Sequence, residues 1–436
     1  MARVAVVGAG FGGLAAAARL VRLGHDVVVL DAAAVTGGAC SRLEQDGHRW
    51  DAGPTYTLLP AVLRDLFRKS GRPLEKELDL VQLEVLREHR FADGTSLALP
   101  GGSRGAQVRA ADALSPGLGE QWASYVASYT ETWELLRTDL LERRWSPDVG
   151  RPETARMLAS RTSLRRAARR GLRDRRLRLV AAHPYDVDGH DLSGVPAWAG
   201  VVAHLEQRFG TWTTPHGMAV VTELLAARLA ERGADVRLRT PVTDVVVRGG
   251  RAVAVASADG EVDADVVVCA IDPRRLPALA PYVAASQPAM PPVVSHLGLE
   301  GELPPLAHHE TVLHGDPLLV VRVQPPGSAP DGGAAWTVLA RGRGAEDPVR
   351  ALAERGLHVR PHVVTRLDLS PRASAERWGG SPLGVRWDGR ATQRQRLGPR
   401  TPVPGVLATG AHAAAGPGLA FVGLASALVA QEVPAV

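Results

Sequence analysis

The chain opens on a short apolar run, Val4–Val7, then a glycine-punctuated stretch, then apolar positions at helical spacing from Leu14 to Leu23. Gly24 supplies the stop that usually follows a helix. Asp26–Leu30 is a second buried-strand run, and Asp31 stands at its end. Strand-like runs recur at Asp235–Leu238, Asp244–Val247, Ala252–Ala256, Val262–Ala270 and Pro404–Gly410. Arg87–Leu99 reads as two short strands joined by a turn at Asp93-Gly94. Ser115-Pro116 has the form of an N-cap followed by proline at the first helical position, opening a long helix to about Arg144. On that helix Trp122, Tyr125, Tyr129 and Trp133 share a face with Leu118, Leu136 and Leu140. The face reads as core. The wall of an apolar substrate tunnel is the alternative.

Strands alternating with helices predict an α/β fold: a Rossmann-type domain with a parallel sheet, and an interleaved α+β substrate domain. At 436 residues the chain is long enough for both. The first domain is expected to be discontinuous, over residues 1–85, 205–275 and 395–436. The second takes 86–204 and 276–394, with a helical excursion over 151–180. Apolar residues at 45% and charged residues at 22% exclude a disordered or fibrous chain. No apolar run reaches the length of a membrane span. The two cysteines, Cys40 and Cys269, form no CxxC motif, which favours a reduced, cytoplasmic protein.

The net charge of +5 hides an uneven distribution. Only Lys69 and Lys76 are lysines, asparagine is absent and Ile271 is the single isoleucine, a pattern of GC-rich coding. The arginine excess is therefore weak evidence for a nucleic-acid partner, and none is expected. Residues 151–180 hold eleven arginines against Glu153 and Asp174, a net +9, leaving −4 for the rest. This segment reads as a solvated helical face. The sharper reading is a surface for anionic membrane at the inner face, with Leu164, Leu172, Leu177 and Leu179 as its apolar edge.

Gly8-Ala9-Gly10-Phe11-Gly12-Gly13 is GxGxxG, placed between the first strand and the first helix. Gly8 permits the tight turn, Gly10 lets the backbone approach a pyrophosphate, and Gly13 lets the helix pack on the strand. The helix N-terminus attracts the phosphates. Asp31 follows Gly10 by 21 residues, where a carboxylate accepts hydrogen bonds from ribose hydroxyls. Dinucleotide binding is expected. The same glycines interrupt the N-terminal apolar run, so a secretory signal is not expected.

Further on come Thr36-Gly37-Gly38-Ala39-Cys40-Ser41 and Gly47-His48-Arg49-Trp50-Asp51-Ala52-Gly53-Pro54-Thr55. Near the C-terminus Gly416-Pro417-Gly418-Leu419-Ala420-Phe421-Val422-Gly423 opens the last helix. With these motifs the chain resembles the phytoene desaturase-like branch (carotenoid desaturase and retinol saturase type) of the flavin amine-oxidase superfamily. The resemblance implies FAD rather than NAD. It extends the cofactor-binding set from Gly8, Gly10, Phe11, Gly12, Gly13 and Asp31 to Ala32, Gly37, Gly38, Cys40 and Ser41. It adds Gly53, Pro54 and Thr55, Val242 towards the adenine, and Gly410, Gly418 and Leu419, with the last helix facing the flavin pyrimidine. Ala414 and Ala415 stand where many relatives have His-Pro.

The resemblance further implies an oxidoreductase acting on an apolar small molecule, by desaturation or related chemistry on a polyene or isoprenoid, with hydride passing to flavin N5. An amine or amino-acid oxidase on the same scaffold is one alternative, and a prenyl-lipid carrier of the escort type is another. No second strand–GxGxxG–helix unit is visible, so a diffusing electron acceptor, quinone or oxygen, is expected. His412 is the one candidate acid or base. No metal site is expected, since His308-His309 lacks a surrounding ligand set.

Overall fold

The structure is a computed structural model and describes residues 1–146 and 150–435. Strand β1 (Arg3–Val7), helix α1 (Phe11–Arg22) and strand β2 (Asp26–Leu30) form the opening βαβ unit, with Val4 paired to Val27 in parallel register. They sit in a five-stranded parallel sheet. Its order is 406–408, 266–269, β1, β2, 235–237. The strands are valine-rich because both faces are covered. On one face α1, the helix Ala219–Glu231 and the C-terminal helix Leu419–Glu432 bury Leu14, Leu20, Leu225 and Val429. On the other, Ala5, Val7 and Val267 pack with Val245 and Val255 of a three-stranded antiparallel sheet.

The apolar run 262–270 serves both sheets. Gly260–Asp263 ends the antiparallel one, and Val266–Cys269 enters the parallel one. The step between them is tied to β1, since the Arg3 backbone N–H donates to the Asp265 carboxylate at 2.8 Å.

A second, seven-stranded sheet combines residues 85–100 with residues 293–369. It is antiparallel except where Glu310–Leu313 runs parallel to Val85–Arg90. One face is apolar and covered by the helix Pro348–Glu354. Residues 104–209 form a helical cap.

Within the cap the structure departs from the sequence pattern. Ser115 does not start a helix. It follows the helix Arg104–Leu114, and the next helix begins at Leu118 behind a left-handed Gly117. The carboxylate of Asp112 takes the N–H groups of Gly117 and Gly119 at 3.0 and 2.9 Å, replacing the serine cap. The long helix is also broken. It stops at Ala127, resumes over Thr130–Leu136 and ends in a wider turn, Arg137–Leu141. Ser128 and Thr130 hydroxyls bond the carbonyls of Tyr125 and Ala127, a competition that bends helices. The four aromatic residues nonetheless share one buried cluster.

The basic segment forms helices Pro152–Ala159, Leu164–Gly171 and Arg175–Val187. Leu164, Leu172 and Leu177 are fully buried and Leu179 is half-buried against the cluster that holds Leu172 and Leu177, so the four leucines do not form the expected apolar edge. Arg166, Arg169, Arg170, Arg173 and Arg175 are exposed. They make no ion pair among the described residues, whereas Arg165 pairs with Asp191. No helix among the described residues is long and apolar enough to cross a membrane.

Candidate functional site

The glycines of the first turn each meet a specific steric demand. Gly8 has φ +106°, and a Cβ at Gly13 would fall 1.8 Å from the Gly8 carbonyl oxygen. Gly10 is less crowded: a Cβ there would meet only the Gly38 Cα, at an ordinary contact distance of 3.9 Å, whereas a Cβ on Gly38 would lie 3.1 Å from the Gly10 Cα. No side chain caps α1, and its first turn holds no acid, which leaves the positive end of the helix for an anion. Asp31 fixes the turn, accepting from the Ala9 N–H at 2.5 Å and the Ala33 N–H at 2.7 Å. A carboxylate has lone pairs beyond these two for ribose hydroxyls. The Asp31 carbonyl accepts from Thr240 N–H at 2.8 Å. The Arg239 N–H likewise donates to the Ala33 carbonyl at 2.9 Å, and half-buried Val242 follows two residues after this strap.

The double glycine closes over this turn. Gly37 (φ +102°) donates its N–H to the Ala9 carbonyl at 2.8 Å. Ser41 accepts from Ala52 N–H at 3.0 Å, and a Cβ at Gly53 would lie 2.4 Å from the Ala39 oxygen, so Gly53-Pro54-Thr55 lies against the double-glycine turn. The Thr55 hydroxyl is buried and has no hydrogen-bond partner among the described residues. A buried hydroxyl left unpaired costs about 1–3 kcal/mol, and a bound ligand would relieve that cost. Cys40 is buried, with Sγ 3.5 Å from the Met218 carbonyl, and burial pushes its thiol up and keeps it protonated.

The chain's other end reaches the same place. Gly12 faces Gly410 and Val422 so closely that a Cβ would lie 3.0 Å from each. Gly418 (φ +102°) precedes the C-terminal helix, which also lacks a side-chain cap and an acid in its first turn. Leu419 and Phe11 are buried beside it. Two uncapped helix starts, a turn of closely packed glycines and an orphaned hydroxyl therefore lie in one region. These features fit a flavin dinucleotide.

His412 lies just past Gly410 but is tied elsewhere. Its Nδ1 is 3.1 Å from Arg274 Nη2 and 3.8 Å from Asp272. Burial lowers it to about 4, so it is neutral at pH 7.

Sequence patterns did not reveal a buried ionic cluster beside the Gly53-Pro54-Thr55 segment. Arg87 donates to Glu310 at 3.0 Å, Glu206 at 2.9 Å and the Tyr56 hydroxyl at 3.0 Å. Arg322 donates to Glu310 at 2.7 Å and to the Gly53 carbonyl at 3.1 Å. Burial pushes Glu310 up, but Arg322 and Arg87 outweigh it and hold the carboxyl at about 2. The only sequence signal was a charged residue in each of several apolar strands. Among the described residues no group of three or more His, Cys, Asp or Glu is placed to hold a metal ion.

The model of the flavin containing amine oxidoreductase family matches residues 11–418, from α1 to the Gly418 turn. The chain belongs to that family. FAD is accordingly its cofactor. The chain is 32% identical over 265 residues to a neurosporene-forming phytoene desaturase of Cereibacter sphaeroides, covering 60% of the chain and 51% of that relative. It is 30% identical over 328 residues to a zeta-carotene-forming phytoene desaturase of Myxococcus xanthus, covering 72% of the chain and 63% of that relative. The chain thus spans about half to two thirds of these relatives' length. Among solved structures, wild-type putrescine oxidase bound to putrescine superposes with a TM-score of 0.71 at 18% identity, over 99% of this chain and 98% of that one. That likeness is one of fold.

Proposed function

We propose that this flavin containing amine oxidoreductase desaturates an isoprenoid polyene. The carrying observation is the apolar cluster at the start of the C-terminal helix. Leu58, Leu59, Trp122, Tyr125, Tyr129 and Trp133 form one buried body with Ala420, and Ala415, Phe421 and Leu424 pack against it. Apolar and aromatic surface thus runs from beside Thr55 to the second uncapped helix start. Such surroundings suit a hydrocarbon and exclude water. When bound, FAD supplies the two-electron acceptor. The chain's own contribution is position and dryness, which need no charged acid–base motif. In this reading, residues 1–85, 205–275 and 395–436 hold the cofactor, and 86–204 with 276–394 hold the substrate. A diffusing quinone or oxygen takes the electrons onward. The arginine helices dock at the anionic inner face of a membrane, where such a substrate dissolves.

The test is the purified holoenzyme, yellow with flavin, given phytoene-type polyenes in lipid vesicles and a panel of amines. Pigment formation from the polyene is expected. Flavin bleaching by amines alone would favour the oxidase reading, and a colourless protein that takes up no FAD would favour the lipid carrier.

A further inference from the structure

Arg396 is a buried cation without a carboxylate. Its residue is 6% exposed, and its guanidinium stacks on the Trp387 ring at 4.6 Å. Nη2 donates to the Val385 carbonyl at 3.2 Å, while Nε is buried with no partner. The other buried arginines are ion-paired: Arg19 with Asp65, Arg87 with Glu206 and Glu310, and Arg228 with Glu77. Burial lowers Arg396 to about 10, so it stays charged at neutral pH. An unpaired buried charge is costly, because water is lost and no counter-charge replaces it.

The place of this charge suggests what compensates it. A Cβ at Gly416 would lie 2.9 Å from Arg396 Nη1, so the guanidinium rests on the Gly416–Gly418 turn. The strap bearing it is tied to that turn, with Ala414 N–H donating to the Leu397 carbonyl at 2.8 Å and Gln393 Nε2 to the Ala414 carbonyl at 3.2 Å. The uncapped, acid-free start of the C-terminal helix adds a partial positive charge at the same spot. Two positive sources face one place, and among the described residues Arg396 has no carboxylate partner there.

We infer that Arg396 and the start of the C-terminal helix together form the seat for the negative charge that the flavin ring gains on reduction. The inference rests on the FAD reading above. With the pyrophosphate held at α1, the ring of an extended cofactor would be held by the second helix start, as the resemblance implies. A hydride brings two electrons and one proton to a neutral oxidised ring, and so leaves one negative charge on it. Arg396 is a positioning charge in this role, and it favours the reduced state over the oxidised one.

The experiment measures the flavin midpoint potential and the affinity of the bound flavin for sulfite, which also leaves a negative charge on the ring. Wild type, R396Q, R396K and the exposed-arginine control R394Q are compared as holoenzymes. R396Q is expected to retain FAD, to bind sulfite about tenfold more weakly, and to lower the potential by the equivalent ~30 mV for a two-electron couple. R396K should recover much of both, and R394Q should match wild type. An R396Q holoenzyme with reduced thermal stability but unchanged potential and sulfite affinity would overturn the inference, leaving Arg396 as a tie for Val385 and Trp387. A wild-type flavin that forms no sulfite adduct overturns it even if R396Q does not fold. A wild-type protein that takes up no FAD instead overturns the cofactor reading beneath it.

Discussion

Ser426 Oγ lies 3.0 Å from the Gly12 carbonyl oxygen, joining the first and last helices inside the core. The same hydroxyl lies 3.0 Å from Thr409 Oγ1 and 2.9 Å from the Val422 carbonyl. Thr409 follows the last strand of the parallel sheet, so one small side chain links three parts of the cofactor cradle. Ser426→Ala is expected to cost about 1 kcal/mol, the net value of one buried hydrogen bond. Gly12→Ala should cost more, about 1–3 kcal/mol, because its Cβ meets backbone that has no room to yield. Urea midpoints check both figures. The flavin-to-protein ratio after gel filtration should fall further for Gly12→Ala than for Ser426→Ala.

Asp31 provides a sharper test of the cofactor site. Both carboxylate oxygens already hold backbone N–H groups, so Asp31→Asn keeps the shape but turns one acceptor into a donor. Hydrogen bonds to a charged group are worth about 1.5–3 kcal/mol, so FAD affinity should fall about ten- to a hundredfold. Titration of the apoprotein by quenching of flavin fluorescence measures this. Unchanged affinity would mean that the ribose lies elsewhere.

Local chemistry was legible in the sequence where a residue's role depends on its neighbours in the chain. The strand–glycine–helix–strand–acid order at residues 4–31 is of this kind, and so are the two glycine turns. Contacts between distant segments were not. Arg87 and Glu310 are 223 residues apart, and nothing in either strand names its partner. The Ser115 cap failed for a similar reason. Its local pattern was sound, but the Asp112 side chain, on the preceding helix, takes the N–H groups of Gly117 and Gly119 at the start of the next helix instead. Leu164, Leu172 and Leu177 show the same limit. Their spacing among arginines suited a membrane edge equally well, and only the helices packed beneath them decide that they face inward.

That inward turn of the leucines changes what membrane binding should look like. With no apolar edge exposed, docking would be electrostatic, at about 1 kcal/mol for each arginine near an anionic surface. Replacing Arg166, Arg169 and Arg170 together by glutamine should weaken binding to phosphatidylserine vesicles about a hundredfold. Raised salt should release the wild type. Co-sedimentation checks both, and neutral vesicles should bind neither form. Binding that persists in high salt would require an apolar anchor elsewhere.

His89, His183 and His314 are buried together, with His89 Nδ1 2.9 Å from His314 Nε2 and the His89 and His183 ring centroids 5.4 Å apart. The nearby charges include Arg87, Arg322 and Glu310, with both arginines already engaged with Glu310. Burial lowers His314 to about 4, and burial and the neighbouring positive groups set His89 and His183 well below their ordinary value. In the unfolded chain each regains a pKa of about 6.5. Below that pH the unfolded state binds more protons than the folded one, so stability is full above about pH 6.5 and falls as the pH drops towards 4. Asp186 and Asp188, pushed up by burial to about 6 and about 7, work in the opposite direction. A difference measurement isolates the histidine. His314→Gln should lower stability at pH 8 through lost packing, yet reduce the dependence on pH between 6 and 4 by up to ~1.4 kcal/mol per pH unit, one proton's worth. Urea denaturation at a series of pH values gives both numbers. An unchanged slope would mean that His314 takes up its proton in the folded protein as readily as in the unfolded chain.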